Sequence, residues 1–219
     1  MIVVIDGPAG SGKSSTAKAV AEQLGIQYLD SGALYRAVTL VYIQANQRRD
    51  KFFDKLNSIN ISFRYTDSIF YVEIDELNVS TEIRSMEVSA LVSEVASMPR
   101  VRAFVNALMN KAIEKSNFIA DGRDLGTAVF PNAAMKFFMV ADLETRAKRR
   151  LLELQQQGSE ATLEQILQNI TERDHIDSSR EADPLKKAED AIEIDTSSYR
   201  FEEQVDFISD KIRPLLKSN

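Results

Sequence analysis

The chain has 219 residues, no cysteine, and 33 acidic against 27 Lys or Arg side chains, for a formal net charge of −6. That length suits one α/β domain with insertions, the acidic balance argues against a dedicated nucleic-acid binder, whose footprint is basic, and the lack of cysteine rules out disulfides and thiolate metal sites. The first strand begins at residue 2 and no apolar run approaches membrane-spanning length, so the expectation is a soluble, cytoplasmic protein with no signal peptide and no membrane partner.

The opening stretch organises everything after it. Ile2-Val3-Val4-Ile5 is a β-branched run, and Ala17, Val20, Ala21 and Leu24 follow at helical spacing. Between them, Gly7, Gly12, Lys13 and Ser14 meet the spacing G-x-x-x-x-G-K-S/T of a phosphate-binding P-loop, with Gly10 inside it. Gly7, Pro8, Ala9, Gly10, Ser11, Gly12, Lys13, Ser14 and Ser15 form the expected ATP cradle, with backbone N–H groups on all but Pro8. The helix N-terminus adds its positive dipole end, Lys13 a point charge, and the Ser14 hydroxyl a ligand for Mg²⁺.

Gly25 is the expected stop of the first helix. Ile26 to Leu29 reads as a second strand that ends in an Asp30-Ser31-Gly32 loop, and Leu34, Ala37, Val38, Val41 and Ala45 form the apolar face of the helix that follows, with Arg36 near its start. A short helix around Phe52 to Ile59 precedes a change of period. Ile61 to Tyr65, Ile69 to Ile74 and Leu77 to Val79 read as strands around a Thr66-Asp67-Ser68 turn, a small antiparallel insertion on a parallel core. Helical spacing returns over Val88 to Ala96, breaks at Met98-Pro99 and resumes over Val101 to Ile113. Phe118 to Ala120, Met135 to Val140 and Ala191 to Ile194 complete five core strands. The third delivers Asp121-Gly122-Arg123-Asp124 to the strand end where open α/β sheets bind ligands. Asp142 should cap a helix carrying Leu143, Ala147, Leu151 and Leu154 that stops near Gly158. Thr162 with Gln165 forms a capping box for the next, and Val205, Ile208 and Ile212 mark the last. The fold class is therefore α/β, a three-layer P-loop core around a five-stranded parallel sheet.

Arg146, Arg149 and Arg150 fall at i, i+3 and i+4 on the helix after Asp142, beside the polar stretch Gln155 to Ala161, which reads as a hinge. A solvated charged face is the ordinary explanation of such a patch. Guanidinium forks nonetheless suit phosphate oxygens, and Arg173 and Arg180 lie on the next segment. A P-loop protein that closes such a segment over polyphosphate transfers phosphoryl groups or hydrolyses them. A hydroxyl acceptor would need a carboxylate base. A phosphate acceptor is already largely ionised and needs arginines against anion repulsion instead, for which Arg36, Arg123, Arg173 and Arg180 are the candidates. No Asn-Lys-x-Asp guanine reader and no Leu-Ser-Gly-Gly signature is present. The single His175 reads as a surface residue.

Taken together, DGPAGSGKSS at 6 to 15, LDSGALYR at 29 to 36, VSEVASMPRVR at 92 to 102, IADGRDLGTAVFP at 119 to 131, RAKRRLLELQQQG at 146 to 158 and ERDHIDSSREADPL at 172 to 185 resemble the bacterial cytidylate kinases of the nucleoside monophosphate kinase family. The resemblance implies one kinase domain. Its core would lie at about 1–35, 84–145 and 175–219, a monophosphate-binding insertion at about 36–83 and a helical lid at about 146–174. It implies ATP and Mg²⁺ as cofactors, CMP or dCMP as the acceptor, and action as a monomer without nucleic acid. It places Lys13, Arg123, Arg146, Arg150 and Arg173 in catalysis, and Ser31 with Arg36 and Arg123 at the acceptor. Ser93, Arg102 and Asp124 fall at the cytosine, and Arg173, Asp177 and Arg180 at or near the ribose. Asp183 departs from the family pattern, which often has a small residue before the proline. Another acceptor such as UMP or AMP, and a nucleotide-dependent switch that transfers nothing, are the alternatives.

Overall fold

The computed structural model describes residues 1–113, 116–156, 158 and 160–216. Its main sheet contains β1 (Ile2–Asp6), β2 (Gln27–Asp30), β6 (Phe118–Gly122), β7 (Met135–Val140) and β8 (Ile192–Asp195) in the order β2-β6-β1-β7-β8, all parallel. Val3, Val4, Leu29, Ile119, Ala120 and Met139 are fully buried. Such near-continuous apolar runs are what strands covered on both faces require. The covering helices are α1 (Lys13–Leu24), α2 (Ser31–Gln44), α4 (Met86–Ala96), α5 (Pro99–Ala112) and α8 (Phe201–Leu216). Gly25 ends α1 in the left-handed conformation, φ 64°, as expected of a C-terminal glycine.

After α3 (Arg49–Ser58) come β3 (Ile61–Thr66), β4 (Ile69–Ile74) and β5 (Leu77–Asn78), a separate antiparallel sheet in that order. Asp67 and Ser68 both have positive φ, the conformation of the tight turn whose twist matches its strands. This sheet is tied to the core by edge contacts of Phe70 and Tyr65 on Tyr28, centroids 5.9 and 5.6 Å apart.

The pair α6 (Leu143–Gln156) and α7 (Leu163–Ser179) has a small core of its own. Ala147, Leu154, Ile166 and Ile170 are buried among Leu151, Leu163 and Leu167, separate from the main cluster. Asp142 caps α6 through Thr145 N–H at 2.8 Å, and Thr162 and Gln165 form the reciprocal box at the start of α7. The expected hinge stretch, 155–161, includes residues 157 and 159, which lie outside the described residues.

Two local expectations are corrected, and one turn is added that no expectation covered. No loop separates β2 from α2: the Asp30 side chain accepts from Ala33 N–H at 2.8 Å, so the N-cap is the last strand residue and Ser31 is already helical. Pro99 starts α5 rather than merely interrupting the chain, as its missing N–H costs nothing in a first turn. Leu125–Val129 forms a single π-helical turn where the sequence shows no helical period. Tertiary contacts impose that turn, because Asp6 at the end of β1 accepts from Leu125 and Gly126 N–H at 3.0 and 2.7 Å.

Candidate functional site

The parallel register aligns the carboxyl ends of β1, β2 and β6, pairing Ile5 with Asp121, Asp6 with Gly122, and Asp30 with Asp121. Everything the sequence singles out converges on this edge. Gly7 leaves β1 at φ 149°, where a Cβ would lie 2.0 Å from the Met139 carbonyl oxygen, so only glycine can turn here. Gly12, φ 91°, precedes α1 with no side-chain cap and no acidic residue in the first turn. The first N–H groups of α1 therefore present a positive end with no built-in anion. Lys13 is 4% exposed; its ammonium donates to the Pro8 carbonyl at 2.6 Å and to the Ser11 hydroxyl at 3.2 Å. Burial, and then the Arg123 guanidinium, push its pKa well below the ordinary lysine range.

The three arginines expected on one patch divide among three tasks. Arg146 is buried and donates to the Ala9 and Ala141 carbonyls at 3.0 Å and to Asp174, whose other oxygen accepts from Ala9 N–H at 3.2 Å. Arg149 donates to Thr196 Oγ1 at 3.0 Å and to the Thr196 carbonyl at 2.6 Å, while Thr196 Oγ1 donates to the Ser11 carbonyl at 3.1 Å. Arg150 alone points outward, paired with Glu153 at 2.9 Å, and lines a cleft of about 580 Å³ with Arg173, Ser89 and Met86. Helical spacing put them on one face. Neighbours on either side of that face separate them.

Ser14 donates its hydroxyl to Asp121 Oδ2 and Tyr28 donates its hydroxyl to Oδ1, both at 2.7 Å. Burial, then the Asp30 charge, raise the Asp121 pKa to about 6. Among the described residues no group of three metal-ligating side chains exists. Mg²⁺ does not need one: it binds through one or two oxygen ligands while keeping waters and substrate phosphate, and Ser14 with Asp121 is an oxygen pair of that kind. Ser31, expected at the acceptor, donates to the Asp121 carbonyl at 2.6 Å.

Arg36, Arg123, Arg150 and Arg173 form a cationic cluster. Arg36 donates to Ser89 Oγ at 2.8 Å, and Arg123 donates to Asp177 at 2.9 Å. Arg173 has a buried Nε with no hydrogen-bond partner. Desolvation, then repulsion from Arg123 and Arg36, lower its pKa to about 9; desolvation foremost, with Arg150, Arg84 and Arg123 contributing, lowers that of Arg36 to about 10. Cations held together against repulsion with an unused donor call for an anion.

Beyond the cluster, Asp124 is buried between two guanidinium groups, accepting from Arg102 and, at 2.8 Å, from Arg180. Burial raises its pKa despite both arginines. Arg102 also donates to Asp183 at 2.8 Å. Ser93 is buried on α4. Arg180, the C-cap of α7 and expected at or near the ribose, pairs with Asp124. His175 is exposed, as expected.

Residues 3–214 match the profile of the cytidylate kinase family. The chain belongs to that family. Cytidylate kinases of Fusobacterium nucleatum and Cytophaga hutchinsonii are 44% and 46% identical over 217 and 213 residues, covering 97% and 95% of this chain and 97% and 91% of theirs. That of Carboxydothermus hydrogenoformans is 41% identical over 208 residues, 94% of each chain. An uncharacterised protein from Eubacterium ventriosum shares the fold, with TM-score 0.56 and 15% identity over 97% of this chain and 98% of its own.

Several residues of this cytidylate kinase site carried no assigned role in the sequence reading. Asp121 had a signal, its place at a strand end in the DGRD segment. Asp6 and Asp174 lie in the quoted 6–15 and 172–185 segments, but their partners, like those of Tyr28 and Thr196, stand more than ninety residues away in the chain. Asp6 offers a direct check. Its burial raises its pKa from 3.8 to about 6, so the native state holds the proton more tightly than the unfolded chain. The ionised carboxylate then costs stability, a cost that appears as pH rises from about 4 to about 6 and is complete above that. Asp6→Asn removes the titration. Its stability relative to wild type is expected to rise across that window by up to about 3 kcal/mol, as read by urea unfolding at several pH values. Parallel profiles would contradict the assignment.

Proposed function

We propose that this protein transfers the γ-phosphoryl group of ATP to CMP or dCMP, giving the diphosphate, with Mg²⁺ as the accompanying ion. The observation that carries the reading is a pair of neighbouring anion sites: the P-loop with Lys13, and beside it, with Arg123 close enough to repel Lys13, the cluster of Arg36, Arg123, Arg150 and Arg173 with its unpaired Nε.

In this reading the donor phosphates lie over the α1 N-terminus, within reach of Lys13, and Ser14 with Asp121 would hold Mg²⁺, which would offset charge on those phosphates. Lys13 leaves the Pro8 carbonyl for phosphate oxygens. The acceptor phosphate takes the arginine cluster, and Asp177 aims Arg123 at it. No general base is required, since a monophosphate with second pKa near 6 is largely ionised at neutral pH. Catalysis rests on alignment and on arginines that offset the repulsion of two anions. Asp124, between Arg102 and Arg180, presents acceptors to the cytosine amine, and Arg102 donors to the ring acceptors. Ser93 completes that pocket, and Arg173 and Asp177 lie by the ribose.

The α6–α7 unit, with its own small core, is assigned as the lid, and the β3-β4-β5 insertion as part of the monophosphate side. The enzyme acts as a monomer on small molecules in the cytoplasm. No described helix is long and apolar enough to cross a membrane.

The test is a panel of CMP, dCMP, UMP and AMP with ATP and Mg²⁺, following ADP release. Preferred turnover of the cytidine nucleotides is expected. Preference for UMP or AMP would replace the acceptor assignment, and ATP binding without transfer to any of them would favour a switch.

A further inference from the structure

Asp183 has no part in the reading above, yet it touches both arginines that flank Asp124. Its backbone is left-handed, φ 48°, a conformation uncommon outside glycine but tolerated by Asp and Asn. The twist serves two contacts at once. The Asp183 carbonyl accepts from Arg180 Nε at 2.8 Å and Nη2 at 2.6 Å, and its carboxylate accepts from Arg102 Nε at 2.8 Å.

The consequence falls on Arg102, whose side chain is 3% exposed. A guanidinium has five N–H donors. Asp183 takes Nε, Asp124 takes one on Nη2, and the Ala96 carbonyl takes one on Nη1 at 3.4 Å, leaving one on each terminal nitrogen. The two carboxylates hold the fork through Nε and Nη2. The same residue settles the charge. Arg102 and Arg180 against Asp124 alone would leave one positive charge in a nearly closed pocket, which favours an anion; with Asp183 the four side chains balance. A nucleobase is neutral, so a balanced pocket with a fixed donor pair fits a base, whereas an unbalanced one would also draw phosphate.

We infer that Asp183 is a specificity-determining residue of the base site, orienting the Arg102 fork and cancelling the second guanidinium charge so that the pocket takes a neutral pyrimidine. The inference rests on the assignment of Arg102 and Asp124 to the base. It gives the carboxylate a role distinct from that of the carbonyl, and glycine separates the two. Asp183→Gly suits the left-handed backbone and keeps the carbonyl to Arg180 while deleting the carboxylate. Asp183→Asn also tolerates that backbone and keeps an acceptor for Arg102.

Steady-state constants for CMP and ATP are measured on wild type and both variants, with melting curves alongside. Asp183→Gly should raise KM for CMP about tenfold, the scale of one hydrogen bond to a charged group, with kcat changed less than about twofold and KM for ATP unmoved. Asp183→Asn, which keeps an acceptor for Arg102 but not the charge, should recover only part of the loss in KM. A structural role would instead move the CMP and ATP constants together and follow the melting temperature. Should Asp183→Gly melt far below wild type, Asp183→Ser is read in its place with the same expectation. An unchanged KM for CMP in Asp183→Gly would overturn the inference, an Asn variant no better than Gly its orienting half and an Asn variant equal to wild type its charge-cancelling half, all leaving the kinase reading intact. A wild type unable to use CMP would overturn both.

Discussion

Lys13→Ala is expected to lower kcat/KM by about 10³-fold or more, because in phosphoryl transfer the protein acts mainly by holding charge that spreads over the equatorial oxygens. Lys13 is buried in the P-loop and bonded to the Pro8 carbonyl and the Ser11 hydroxyl, so its removal also takes a donor from the loop's own backbone. The remaining supports of the loop do not depend on it: Arg146 holds the Ala9 carbonyl, Asp174 the Ala9 N–H, and Thr196 the Ser11 carbonyl. The variant should therefore fold, with a far-ultraviolet spectrum like that of wild type, while losing transfer. A folded Lys13→Ala enzyme with near-native kcat would contradict the P-loop mechanism.

Asp124→Ala should cost about 3 to 5 kcal/mol of stability, the usual consequence of removing one partner from a buried ion pair and leaving uncompensated charge. The loss here leaves Arg180 with only the Asp183 carbonyl and Arg102 with only the Asp183 carboxylate and the Ala96 carbonyl, each guanidinium almost wholly enclosed. Urea unfolding measures it. Asp124→Asn separates the structural part from the base-reading part, since an amide still accepts from one arginine but turns an NH₂ toward the other. The ratio of kcat/KM for CMP over UMP is expected to fall about tenfold in the Asn variant, because the amide can donate to the uracil carbonyl that replaces the cytosine amine. If stability and both rates fall with the ratio unchanged, Asp124 holds the arginines in place and does not read the base.

The elements with a strong period were legible in advance. All five core strands, the antiparallel insertion, the α7 capping box and the α1 glycine stop follow from hydrophobic alternation, helical spacing and local capping chemistry. The failures lie where a distant residue overrules the local pattern. The π-helical turn at Leu125–Val129 exists because Asp6, on another strand, captures two of its N–H groups. Arg146, Arg149 and Arg150 share a helix face but meet the P-loop backbone, Thr196 and the open cleft respectively, and no spacing rule foretells three destinations.

By itself, then, the sequence determined the P-loop, the order of strands and helices, and the identity of the charged residues near the sheet edge. Those are properties of residues close together in the chain, where backbone conformation and side-chain period are linked. Only the tertiary structure decided which arginine meets which carboxylate: Arg102 and Arg180 with Asp124, Arg123 with Asp177, Arg146 with Asp174, while the Nε of Arg173 remains unpaired. Burial makes those choices matter. In a desolvated site each cation must find an anion within hydrogen-bond reach, supplied by the fold or by the phosphate it awaits.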